Sequence, residues 1–125
     1  MRLRRAAPLA LLAALGGTLA QRSPTAEVSL RPSFGGALLQ GRMTVPGADA
    51  LTGVWSSQGR ARLLRCAPRC VVVSSVPLQG SLLVNGDTSY RVALGGTFRT
   101  GQRVQLTLQF RGAPLLNVNA TVARP

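Results

Sequence analysis

A strict two-residue alternation between Arg103 and Phe110 restricts the fold of this chain more than any other feature. Polar residues alternate there with apolar ones, which are Val104, Leu106, Leu108 and Phe110. Successive side chains of a β-strand point to opposite faces of its sheet, so the pattern predicts a strand with one buried face. Gly101 and Gly112 bound this segment. We therefore expect a half-buried antiparallel strand here.

The same period recurs along the rest of the chain. Between Ala37 and Val45 the apolar residues fall on one face, and Pro46-Gly47 predicts a turn that ends the strand. Asn85-Gly86 predicts a tight turn, because both residues tolerate positive φ. Further candidate strands are residues 26–30, 51–55, 60–66, 70–76, 81–84, 88–94 and 115–123. Short strands with turn signals between them, and no helical period, predict an all-β sandwich or small barrel.

The N-terminal segment has the organisation of an export signal. Residues 1–5 are basic, residues 6–15 form a short apolar run, and small residues precede a cleavage position between Ala20 and Gln21. The run is too short for a transmembrane helix, which needs about 20 apolar residues. We expect residues 1–20 to be a cleaved signal peptide and residues 21–125 to form one domain. An exported location follows from that expectation.

Composition limits the available chemistry. The chain contains no histidine, and its 15 basic residues are all arginine against 3 acidic residues. Without an imidazole, catalysis or metal ligation by histidine is excluded. Twelve arginines remain after Ala20, giving the mature chain a formal charge of +9. These features predict a basic binding or structural protein and not an enzyme.

Cys66 and Cys70 are the one pair of residues with reactive side chains. In an oxidising compartment the default is a disulfide between them. Two other interpretations stay open: a pair of thiolates that binds copper(I), with the C-x-x-x-C spacing of Sco-type copper proteins, or a redox-active pair. Arg65 and Arg69 flank the sulfurs, and neighbouring cations favour the thiolate form.

Two further sets of residues are candidates for binding. Met43 lies on the apolar face of its strand, which favours a core position, and a role as a third metal ligand is the alternative. The arginines are densest at Arg60, Arg62, Arg65 and Arg69. This group predicts either a solvated basic face or a face that binds an anionic component of the cell envelope. Few aromatic residues accompany them, so nucleic acid is not an expected partner.

Three segments together resemble the periplasmic copper chaperone family PCu(A)C. They are VPLQGSLLV at residues 76–84, YRVALGG at residues 90–96 and GQRVQLTLQF at residues 101–110. The likeness extends over Thr25 to Arg124. It implies a small antiparallel β-sandwich, cupredoxin-like or immunoglobulin-like. It also implies a copper(I) carrier that is periplasmic or secreted in a bacterium, and a copper-accepting partner protein.

The copper ligands of that family do not carry over to this sequence. In the family segment G-x-x-x-Y-H-x-M, the histidine position falls on Arg91 and the methionine position on Ala93, and the upstream ligand pair falls within residues 64–70. A guanidinium has no lone pair to give to copper(I). The first hypothesis for the function is therefore a copper chaperone with a divergent copper(I) site of Cys66 and Cys70, with Met43 as an optional third ligand. The alternative function is a metal-free module whose arginines hold an anionic envelope component or a protein. In both cases we expect a monomer without stable membrane insertion.

Overall fold

The computed structural model describes residues 23–125. The expected signal peptide and its cleavage position at Ala20 and Gln21 lie outside the described residues. Within the described part every regular element is a β-strand, and no helix there is long and apolar enough to cross a membrane. The strands are β1 (Thr25–Ser33), β2 (Gly36–Ser56), β3 (Gly59–Arg60), β4 (Arg62–Cys66), β5 (Cys70–Val73), β6 (Val76–Val84), β7 (Tyr90–Gly95), β8 (Arg103–Phe110) and β9 (Leu116–Val122).

The long strand β2 organises the fold. Its first half pairs with β1 on one side and with β7 and β6 on the other, and its second half pairs with β6 and β8. Strand β9 pairs antiparallel with β8 and parallel with β1. Strands β1, β9, β8 and β2 form a closed circuit of pairings, and β4, β6 and β7 contribute further buried residues to the same core. The expected all-β sandwich is confirmed.

The buried faces follow the alternation in the sequence. All four apolar residues of the β8 pattern are buried, and so are Ala37, Leu39, Met43 and Val45 of β2. On β9, Ala120 and Val122 are fully buried, whereas Leu116 and Val118 pack against the core only in part. No polar or charged side chain of the described residues is buried. The core therefore derives its stability from apolar burial.

The prediction that Pro46-Gly47 ends a strand is wrong. Strand β2 continues through these residues to Ser56, and its register with β6 shifts between Thr44 and Ala48. Gly47 has φ of 119°, a conformation that residues with a Cβ rarely adopt. The Pro-Gly pair thus makes an irregularity that lets one strand serve two groups of partners.

Two other local predictions also need correction. The candidate strand over residues 60–66 is divided between β3 and β4, because Ala61 donates its N–H to Val54 O and Arg62 begins the pairing with β7. Asn85-Gly86 does not form a two-residue turn. Instead, Asn85 Oδ1 accepts the N–H groups of Asp87 and Thr88 at 2.7 and 3.0 Å, and the connection extends to Ser89. Side-chain hydrogen bonding to nearby backbone favours this longer loop.

Candidate metal site at the β4–β5 turn

The cysteine pair closes the turn between β4 and β5. Cys66 and Cys70 are cross-strand partners and form a disulfide, as expected, with their Cα atoms 3.9 Å apart. Cys66 is half-buried, while Cys70 and the three residues of the turn are exposed. Both cysteines therefore lie near the surface, in the hairpin at one edge of the sheet.

The position of these strands follows from their neighbours. Strand β4 pairs with β7 from Arg62 to Arg65, and Cys66 donates its N–H to Ser89 O. Leu63 on β4 and Val92 on β7 are cross-strand partners in the core. This apolar contact holds β4 in place, so that the turn after Cys66 projects beyond the core.

Arg91 is the nearest basic neighbour that the structure shows for the sulfurs. Its Nη1 lies 4.0 Å from Cys70 Sγ, and its Nε donates to Thr88 O at 3.0 Å. The second contact orients the guanidinium towards the disulfide. In the reduced protein, a cation beside Cys70 Sγ stabilises the thiolate form of that sulfur. In the sequence Arg91 falls at a ligand position of the resembled family, whereas its contact with Cys70, 21 residues away, is visible only in the structure.

Met43 is not brought to the cysteines. It is fully buried at the centre of β2, between Ala26 of β1 and Leu82 of β6. Those strands are not the neighbours of the disulfide, which lies against β7. The structure therefore gives Met43 the core position that its place in the alternation favoured.

The four arginines of the candidate anion-binding face do not share one face. Arg62 and Arg65 lie three residues apart on β4, so their side chains leave opposite sides of the sheet. Arg60 stacks over the ring of Trp55, 5.2 Å from its centroid, and its Nη2 donates to Thr52 O at 3.1 Å. Arg69 lies in the exposed β4–β5 turn. These arginines surround the outer strands of the sheet instead of forming one patch.

The residues present give a limited donor set. The described part of the chain contains no cluster of three or more histidine, cysteine, aspartate or glutamate side chains. As a disulfide, Cys66 and Cys70 provide no thiolate. Reduced, they provide two adjacent thiolates, which are soft ligands suited to copper(I).

Comparison with solved structures identifies the architecture. Two copper-free domains match, the apo PCuAC domain of PmoF2 with a TM-score of 0.66 at 22% identity and that of PmoF1 with 0.67 at 21%. The alignments cover 82% of this chain and 91% and 95% of those domains. This chain has the PCuAC fold. A copper-bound PCuAC domain from PmoF2 also matches, with a TM-score of 0.65 and 20% identity over 82% of this chain and 94% of that domain.

Sequence comparisons give no corresponding match. No family model matches the chain, and no curated protein does. The PCuAC fold is thus recognisable here from the backbone, with a sequence that has diverged widely. The resemblance in residues 76–110 predicted this fold correctly.

Proposed function

We propose that this protein is an exported PCuAC-like copper(I)-binding protein whose site is the reduced form of Cys66 and Cys70. The single observation that carries the proposal is the convergence of both sulfurs and the Arg91 guanidinium at the exposed β4–β5 turn. The PCuAC fold of the chain supports it, as does the copper-bound state of one structural neighbour. Copper(I) is cargo in this proposal.

Charge balance explains why arginine suits this position. Two thiolates and one copper(I) ion make a centre of net charge −1. Arg91 Nη1, 4.0 Å from Cys70 Sγ, provides the compensating positive charge without ligating the metal. Arg65 and Arg69 add positive charge on either side of the turn. Arg91 is thus a positioning and charge-balancing residue.

Loading requires reduction of the disulfide. A protein or small-molecule dithiol transfers two electrons and two protons to the S–S bond, giving two thiols on this chain and a disulfide on the reductant. Copper(I) then binds both sulfurs and displaces the two protons. Release to an accepting protein with a similar thiolate or thioether site follows by ligand exchange.

An anaerobic copper(I) titration against a competing chelator tests the proposal. The protein purified after export is used in disulfide and reduced forms, with mass spectrometry recording the redox state. We expect one copper(I) per chain in the reduced form and none in the disulfide form. Cys66→Ser and Cys70→Ser abolish tight binding. Met43→Leu, which changes little volume in the core, is the matched control and retains it. Absence of competition by the reduced protein refutes copper binding by this chain alone.

A further inference from the structure

Strand β5 is an open edge of the sheet. The order of strands ends β7-β4-β5, and among residues 23–125 its only strand partner is β4. Its sequence is Cys70-Val71-Val72-Val73, and Val71 and Val72 are 53% and 66% exposed. Edge strands are usually protected by charged residues, proline or a bulge, because their free backbone groups recruit other strands. Strand β5 contains none of these, and its short length of four residues is the one such protection it has.

The hydrogen bonding of β4 shows which backbone groups of β5 are free. Cys66 directs its N–H to Ser89 O, towards β7. Hydrogen-bonding direction alternates along an antiparallel strand, so Arg65 and Leu63 direct theirs towards Val71 and Val73 of β5. The N–H and C=O groups of Cys70 and Val72 therefore point away from β4, to the open edge. The disulfide holds this edge in register with β4.

The surroundings of this edge are basic. Between Asp49 and Asp87 the chain has four arginines and no acidic residue, and Asp87 itself lies two residues before Ser89, which accepts the N–H of Cys66. Arg62 and Arg65 leave opposite sides of β4, and Arg69 precedes β5 in the turn. A groove of about 310 Å³ also borders the end of β5, lined by Arg60, Ala61, Arg62, Leu63, Val72 and Val73. A strand added to β5 would thus meet positive charge on both of its faces.

We propose that the β5 edge binds an extended, acidic segment of another protein by β-strand addition. Strands of a sheet lie about 4.8 Å apart, so the added strand lies about 10 Å from β4. An arginine of β4 and a glutamate of the added strand together span that distance. Backbone hydrogen bonds to Cys70 and Val72 provide affinity, and the arginines select acidic side chains.

Charge and backbone chemistry disfavour other occupants. A second copy of this chain would place the same arginine group against itself, in a protein that carries twelve arginines and three acidic residues after Ala20. Nucleic acids and anionic lipids satisfy the arginines but have no peptide groups for the β5 edge. The proposal is independent of copper binding, and its test uses the disulfide form of the protein.

The probe is a dye-labelled, end-blocked peptide of alternating valine and glutamate, measured by fluorescence anisotropy. Two matched probes carry lysine in place of glutamate, or N-methyl groups on alternate backbone nitrogens. We expect the glutamate peptide to bind and both matched probes to bind more weakly by about tenfold or more. The N-methylated probe keeps the charge and removes only backbone pairing.

Protein variants distinguish peptide binding at the β5 edge from attraction by the positive charge of the protein as a whole. Val72→Pro removes an N–H that the fold does not use, so the protein stays folded by circular dichroism while peptide affinity falls by about tenfold or more. Val72→Ala keeps the N–H and most of the binding. Arg65→Glu weakens binding, whereas Arg103→Glu on β8 makes the same charge change away from the edge and leaves it within about twofold.

Three results would overturn the proposal. Equal binding of the N-methylated and unmodified peptides would mean a charged surface without strand addition. Unchanged binding in a folded Val72→Pro protein would place the contact elsewhere. In sedimentation equilibrium, a dimer of the wild-type protein that Val72→Pro dissociates would make a second copy the occupant.

Discussion

Reduction of the Cys66–Cys70 disulfide is expected to leave the protein folded, which copper loading requires. The bond joins residues only 4 positions apart, and for so short a loop the chain-entropy model gives a stabilisation of about 2 kcal/mol. Removal of a large core side chain is more costly. Leu106 is fully buried, and Leu106→Ala is expected to cost about 2 to 5 kcal/mol.

Urea unfolding checks this ranking, with circular dichroism and Trp55 fluorescence as independent probes. The samples are the oxidised protein, the reduced protein, Cys66→Ser/Cys70→Ser and Leu106→Ala. We expect the reduced protein and the double serine variant to lose about 2 kcal/mol and to keep a cooperative transition. If the reduced protein shows no cooperative transition, or loses more stability than Leu106→Ala, the argument from loop length is wrong.

Three further predictions concern contacts at the surface. Asp49 Oδ1 accepts the N–H groups of Ala50 and Gly112 at 2.7 and 2.8 Å. Asp49→Ala is therefore expected to lower the free energy of unfolding, measured in urea, by about 1 to 3 kcal/mol. Asp49→Asn keeps an acceptor and is expected to lose less stability. Arg60→Ala removes the cation over Trp55, so we expect the fluorescence of that indole to change and the free energy of unfolding to fall by about 0.5 to 1 kcal/mol. An unchanged emission spectrum would contradict the stacking. Asn85→Ala removes the acceptor of two backbone N–H groups, so hydrogen exchange of those amides accelerates, while Asn85→Asp preserves their protection.

The disulfide of the candidate site was predictable from the sequence, whereas the contact between Arg91 and the disulfide was not. The spacing of Cys66 and Cys70, together with the expected export, predicted the disulfide, and a bond between such near neighbours depends on local geometry. The contact of Arg91 with Cys70 depends on the pairing of β4 with both β5 and β7. Register between distant strands is set by the whole core, so no local pattern revealed this contact. For the same reason the sequence did not decide whether Met43 is a third metal ligand or a core residue, and its neighbours on β1 and β6 decide it.

The sequence by itself determined which side is buried in the strands with a strict alternation. Alternation in β8 and in the first half of β2 specified the core face residue by residue, because the side-chain period of a strand is a local property. Only the tertiary structure decided that β2 passes through Pro46-Gly47 and that β5 is left at the edge. Both outcomes depend on which strands compete for the same hydrogen-bonding edge. That competition is settled by burial of the common core, which involves residues far apart in the chain.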